Sequence, residues 1–363
     1  MCIVAKIASI LEDVMEIKRD LYLDKLIARK HNGLIKVVTG IRRCGKSYLL
    51  NTLFYNHLKA YGVSDDHIVK FAFDSADDLL MIGENLIKLE KSKKRVDPEK
   101  FMAYIRSKVV DNQMYYLLLD EVQLLDCFEA VLNGYLRKEN MDVYVTGSNA
   151  KFLSKDIITE FAGRGDEIRM YPLSFAEFMT AYSGDKYTGL SEYMLYGGIP
   201  LVVLRNGANE KSAALQSLFD EIYIRDIEKR NKTRNIGELE DLLNILSSSI
   251  GSLTNPEKLS NTFKTVKKSK ITATTIRKYL GYLEDSFLIE STQRYDIKGR
   301  NYIETPRKYY FSDLGLRNAR INFRQFEQTH SMENVIYNEL RMRGYNVDVG
   351  VVPVAERDAN GKI

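Results

Sequence analysis

The chain has 363 residues and a formal net charge of +4, with 45% apolar and 28% charged side chains, 22 glycines, 6 prolines and 3 cysteines. This is the composition of an ordinary folded protein with room for two or three domains, and it excludes collagen-like, mucin-like and disordered-linker classes. The longest uncharged apolar stretches, such as Tyr115–Leu119 and Ile199–Leu204, fall far short of the roughly 20 residues of a membrane helix, so no membrane partner is expected.

The start of the chain turns acidic at Glu12 and Asp13, which makes a poor secretory signal, and Cys2, Cys44 and Cys127 show no CxxC spacing. A reduced, cytoplasmic setting is expected. Apolar residues at helical spacing over residues 12–30 predict a helix that stops at His31-Asn32-Gly33. Leu34–Thr39 is a β-branched run that reads as a buried strand ended by Gly40, and from Ser47 the positions Leu49, Leu50, Leu53, Phe54 and Leu58 return to helical spacing. Further strands at His67–Phe73, Met114–Leu119 and Val143–Thr146, with helices between them, predict an α/β fold built on a parallel sheet. Past Pro172 the periodicity is helical over 175–182, 191–196, 212–230, 238–250, 256–264 and 272–286. Ile289–Tyr310 then alternates as a hairpin turning at Lys298-Gly299-Arg300, and three helices followed by a hairpin suggest a winged helix. A helix over Glu333–Met342, a turn at Arg343-Gly344 and a strand close the pattern.

Gly40-Ile41-Arg42-Arg43-Cys44-Gly45-Lys46-Ser47, followed by Tyr48, matches the phosphate-loop pattern G-x-x-x-x-G-K-[ST], directly after a strand and directly before a helix. Glycines let successive backbone N–H groups turn toward phosphate oxygens, and the helix N-terminus adds the positive end of its dipole. Lys46 is expected on the β- and γ-phosphates and Ser47 on Mg²⁺. Asp120-Glu121, at the end of the apolar run Tyr115–Leu119, supplies a metal-holding Asp120 and a catalytic base in Glu121. Ser148 and Asn149, at the end of the next strand, are candidate sensors of the γ-phosphate, and Arg164, between two glycines, is a candidate stabiliser of transition-state charge. No guanine-selecting Asn-Lys-x-Asp motif occurs, which favours ATP.

These segments resemble a family of predicted AAA-like P-loop ATPases of bacteria and archaea, which join the ATPase to a winged helix and a restriction-endonuclease-like C-terminal module. The resemblance rests on Thr39–Ser47, Leu119–Gln123, Thr146–Asn149, Ala162–Arg164, Pro172–Phe178, Tyr196–Pro200, Lys308–Leu316 and Glu333–Leu340. It implies P-loop roles for Lys46, Ser47, Asp120 and Glu121, and makes Arg164 the arginine that meets the nucleotide. It also makes Glu333 the counterpart of a helical metal-binding acid in the nuclease-like module, with Gly361-Lys362-Ile363 standing about where a second acid is expected. The implied organisation is a P-loop domain at 1–171, a helical lid or linker at 172–237, a winged helix at 238–325 and a partial nuclease-like module at 326–363.

Residues 255–325 carry 15 Lys or Arg against 7 Asp or Glu. Lys267, Lys268 and Lys270 precede a helix whose polar face includes Thr274, Arg277 and Lys278, the arrangement of a DNA-recognition helix flanked by phosphate contacts. The same basic face would also suit a winged helix used only for packing. The sequence therefore predicts a Mg²⁺-dependent ATPase whose nucleotide state reorganises its later domains. The alternative is a nucleotide-gated DNA-binding regulator with slow hydrolysis. Double-stranded DNA or a protein is the expected macromolecular partner, and the oligomeric state is open.

Overall fold

Five short runs rich in β-branched and aromatic residues form one parallel sheet: β1 (Ile35–Gly40), β2 (Ile68–Ala72), β3 (Tyr115–Asp120), β4 (Met141–Gly147) and β5 (Gly165–Met170). The structure, a computed structural model, describes residues 17–147, 163–224, 227–228, 231, 235–293, 306–324 and 327–350. Strand order is β2-β3-β4-β1-β5. Every residue of β1, β3 and β4 is buried, as parallel strands covered on both faces require. On one face Val37, Phe71, Leu117 and Val143 pack with Phe101 and Leu132 from the covering helices.

The described residues fall into two compact units, one running to residue 193 with 197–211 and 285–287, the other comprising 194–196, 212–284 and the residues from 288 onward. In the first unit, helix α1 (Asp20–Ala28) precedes β1, within the helix expected over 12–30. The helix after the glycine loop is not uniform. A short α-helical start, α2 (Lys46–Tyr48), passes into a π-helical stretch at Leu49–Phe54 and then into α3 (Tyr55–Ala60). Strand β5 was not expected, because Gly-Asp-Glu-Ile-Arg-Met is mostly polar. It lies at the sheet edge with only Ile168 and Met170 buried, so polarity costs it little. After β5, helix α4 (Phe175–Thr180) opens with a capping box between Ser174 and Glu177.

In the second unit, α5 (Ile236–Ser248), β6 (Leu253–Thr254), α6 (Pro256–Val266), α7 (Ala273–Asp285), β7 (Ile289–Thr292) and β8 (Arg307–Phe311) follow one another. The three strands form an antiparallel sheet in the order β6-β8-β7, with Ile289 opposite Phe311. The turn expected at 298–300 lies outside the described residues. Helix α8 (Gln328–Met342) starts before the expected Glu333, and Gly344 ends it at a φ of +88°. Where the closing strand is expected, Val349 N–H donates to Gln293 O at 3.0 Å and Val347 O accepts from the Thr292 hydroxyl; the residues beyond 350 lie outside the described residues. The architecture of the first unit is the P-loop NTPase α/β fold. No helix among the described residues is long and apolar enough to cross a membrane.

Candidate nucleotide site

Because β4 lies between β1 and β3, the loop that leaves β1 and the acids that end β3 are two strand spacings apart, about 10 Å, with the tip of β4 between them. The loop backbone is committed to its shape. Gly40 has a φ of +138°, and a Cβ there would sit 2.0 Å from Met170 O, so only glycine fits. Arg43 and Gly45 also take positive φ, at +65° and +101°. Gly45 then opens the helix, its carbonyl accepting from Leu49 N–H at 2.8 Å. Ile41 and Cys44 are buried, Arg42 is half-buried, and Arg43, Ser47 and Tyr48 are exposed. Lys46 is buried and folds back over the loop, donating to Gly40 O at 3.0 Å and Ile41 O at 3.1 Å.

The acids are tied to this loop. Asp120 is buried and accepts hydrogen bonds from the Ser47 and Thr146 hydroxyls. Burial pushes its carboxyl above the ordinary carboxylate range, with the Glu121 charge adding to the rise and the two hydroxyls and the Lys46 charge opposing it. Glu121 sits at φ +53° in the left-handed region, a conformation that costs a non-glycine residue on the order of 1 kcal/mol and is held here by bonds on both sides. Its N–H donates to Thr146 Oγ1 at 3.0 Å, and its carboxylate accepts from Gln123 Nε2. Partial burial, then the charges of Asp120 and Glu121, push the Asp74 carboxyl up as well, against the pull of Arg42.

The structure thus brings together Gly40, Lys46, Ser47, Asp120 and Glu121. Two residues that the motifs did not single out join them: Thr146, whose one hydroxyl serves both acids, and Asp74. The signal for Thr146 was its place in Thr146-Gly-Ser148-Asn149; Ser148 and Asn149 lie outside the described residues. Arg164 requires a correction. Its carbonyl accepts from Ile35 N–H at 2.9 Å, at the end of the sheet where β1 begins, whereas the phosphate loop leaves β1 after Gly40. Five residues at about 3.3 Å each place it some 17 Å from the loop, with its guanidinium 3.5 Å from Asn133 Oδ1. It does not reach the loop of its own chain.

The basic candidates of the second unit are each exposed, but two of them are engaged in ion pairs. Lys267 pairs with Asp241 at 3.0 Å, and Arg277 pairs with Glu257, while Lys268, Lys270, Thr274 and Lys278 are exposed. Glu333 is engaged by Lys308 at 2.7 Å and Tyr310 at 2.6 Å. Among the described residues no group of three His, Cys, Asp or Glu side chains is placed to hold a metal ion.

A sequence family described as an AAA domain matches residues 32–179, and one described as a domain of unknown function (DUF8612) matches residues 187–327. An uncharacterized protein of Haemophilus influenzae is 35% identical over 350 residues, covering 94% of this chain and 83% of its own. An uncharacterized protein of Methanocaldococcus jannaschii, MJ1544, is 28% identical over 345 residues, covering 91% and 70% respectively. Among solved structures, the Aeropyrum pernix ORC1 protein in complex with DNA is similar with a TM-score of 0.33 at 12% identity, over 85% of this chain and 94% of that one. With an AAA domain on its P-loop fold and identity to the Haemophilus protein along nearly its whole length, the chain belongs to that protein's family of AAA-domain P-loop proteins.

Proposed function

We propose that the protein binds and hydrolyses ATP at Gly40–Ser47 and that its nucleotide state reorganises the second unit. The observation that carries this reading is the buried Asp120 carboxylate held against Ser47, the motif's metal-binding hydroxyl, beside Glu121. A buried carboxylate and a hydroxyl are hard oxygen donors, and a cation would relieve the burial cost that raises the Asp120 pKa, so the residues fit Mg²⁺. Bound Mg²⁺ would supply neutralisation of the phosphate oxygens, with Ser47 and Asp120 as its protein contacts. Lys46 would exchange the Gly40 and Ile41 carbonyls for β- and γ-phosphate oxygens, keeping its charge partnered throughout. The N–H groups of Ile41, Arg42, Arg43, Cys44 and Gly45 would line the phosphates, with Tyr48 in the first helical turn. Glu121, oriented by Thr146 and Gln123, would position the attacking water. Lys46→Ala should abolish binding and turnover, while Glu121→Gln should bind ATP without hydrolysing it. Turnover by Lys46→Ala equal to wild type would refute the reading.

A second reading, a nucleotide-gated DNA-binding regulator, is favoured by the helix-strand-helix-helix-strand-strand order with β8 between β6 and β7, the arrangement of a winged helix. Lys267, Lys268, Lys270, Thr274, Arg277 and Lys278 would form its DNA face. Affinity for double-stranded DNA should then fall steeply with salt and differ between ATP and ADP. Affinity untouched by replacing Lys268 and Lys270 would sink it.

A further inference from the structure

Arg19 stands just ahead of helix α1, its carbonyl accepting from Tyr22 and Leu23 N–H at 3.0 Å each. Its side chain is 2% exposed, an unusual place for a guanidinium. Nη1 donates to Cys44 O at 3.0 Å, inside the phosphate loop, and Nη2 donates to Tyr171 O at 2.7 Å, just beyond β5. Nε lies 3.0 Å from Glu177 Oε1, and the Tyr22 ring lies under the guanidinium carbon at 4.8 Å. Tyr22 in turn accepts from Tyr171 N–H through its hydroxyl at 3.1 Å. Glu177 uses its other oxygen on Ser174 N–H at 2.8 Å, within the cap of α4.

We propose that Arg19 is the positioning residue of the phosphate loop: by holding the Cys44 carbonyl it fixes the direction of the Gly45 N–H that receives phosphate. The role rests on the nucleotide reading above. Its physical basis is the planarity of the peptide unit. In the trans peptide joining Cys44 to Gly45, the C=O and N–H point to opposite sides, so anchoring one aims the other. Gly45 has no Cβ and a φ of +101°, so its own preferences restrain that peptide weakly. Arginine suits the task because its planar fork reaches three carbonyls, of Cys44, Tyr171 and Pro172, and lies against a carboxylate at once, whereas a lysine is a single point charge.

The test compares Mg·ATP affinity with thermal unfolding across a set of full-length variants. Glu177→Gln leaves the guanidinium on Cys44, so it should unfold at lower temperature yet bind ATP as wild type does. Arg19→Gln/Glu177→Gln removes both buried charges together; it should unfold no lower than Glu177→Gln, which strands the guanidinium charge, yet bind ATP about tenfold more weakly, equivalent to about 1.4 kcal/mol. Arg19→Lys keeps the charge pair and one carbonyl, should fall between the two in affinity, and serves alone if the double variant does not fold. Affinities that simply follow unfolding temperature, or an Arg19→Lys or double variant that binds as wild type, would overturn the proposal. Wild-type protein that binds no ATP, or Lys46→Ala that binds it normally, would overturn the nucleotide reading and the role of Arg19 with it.

Discussion

Replacing Thr146 by Val removes one hydroxyl, keeps the side-chain shape and strikes both acids. Thr146 is fully buried, so water cannot take the place of the lost group. Its hydroxyl donates to Asp120 Oδ1 and accepts from Glu121 N–H at 3.0 Å. A hydrogen bond to a charged acceptor is worth about 1.5–3 kcal/mol and a neutral one about 1 kcal/mol, so Thr146→Val should destabilise the fold by about 3 kcal/mol. For a domain of this size the unfolding temperature should drop by about 6–12 °C. The loss should also depend on pH. Asp120 is raised in the folded state, so the folded chain binds more protons than the unfolded one above the ordinary carboxylate pKa. Its contribution to stability therefore falls as pH rises through that interval. Removing a donor that opposes the rise widens the interval upward in the variant. Urea titrations at several pH values, with Thr146→Ser as the hydroxyl-bearing control, measure all of this. A valine variant within about 0.5 kcal/mol of wild type at neutral pH would refute the claim that this hydroxyl holds the acids.

Gly40→Ala should be among the most damaging single-methyl additions, since its Cβ would meet Met170 O at 2.0 Å; soluble yield and unfolding temperature should both collapse, and a well-folded, ATP-binding alanine variant would contradict the geometry. Lys36 and Asp142 form a buried pair at the opposite end of the sheet, with Tyr144 Oη and His31 N–H also donating to Asp142 at 2.8 and 3.0 Å. Lys36→Met should cost about 3–5 kcal/mol by stranding the carboxylate, and Lys36→Met/Asp142→Asn should recover most of it in urea titrations. For Glu333, burial acts upward, but hydrogen bonds from Lys308 and Tyr310, with the charges of Lys308 and His330, hold the carboxyl below its ordinary value. Its contribution is therefore complete above the unfolded carboxylate pKa and lost as pH falls through the lower folded one. Glu333→Gln should flatten that part of the acid-unfolding curve.

The loop and the acid pair were legible because their chemistry demands fixed residue types at fixed places: glycines at positive φ, a lysine opening a helix, acids ending an apolar strand. What escaped was set by tertiary context. Strand β5 carries charged residues because an edge strand exposes one side to water. The π-helical stretch at Leu49–Phe54 leaves the apolar pattern unchanged, so periodicity reads it as plain α-helix. Thr146 looks like any strand threonine until β4 is placed between the loop and the acids. Arg19, at the head of an amphipathic helix, reads as a surface arginine, since nothing local says that residues 25 and 152 positions away complete its shell. Arg164 erred the other way: its place between two glycines and the family resemblance made it a candidate stabiliser of transition-state charge, but its carbonyl bonds Ile35 N–H, beside the register pair Ile35 and Gly165, at the far end of the sheet.

The strand order has a mechanical side. Loop strand β1 is bonded on both flanks, to β4 and β5, and acid strand β3 likewise, to β2 and β4. Strands in such a lattice cannot slide by small amounts: a slip of one residue would turn Val37 and Leu117 off their face and bring Lys36 and Tyr116 onto it, undoing the core. The spacing between loop and acids is therefore stepwise, with one tolerable setting. Any stroke driven by nucleotide must arise in the segments that leave the strand tips, with the sheet serving as an unyielding ruler between them.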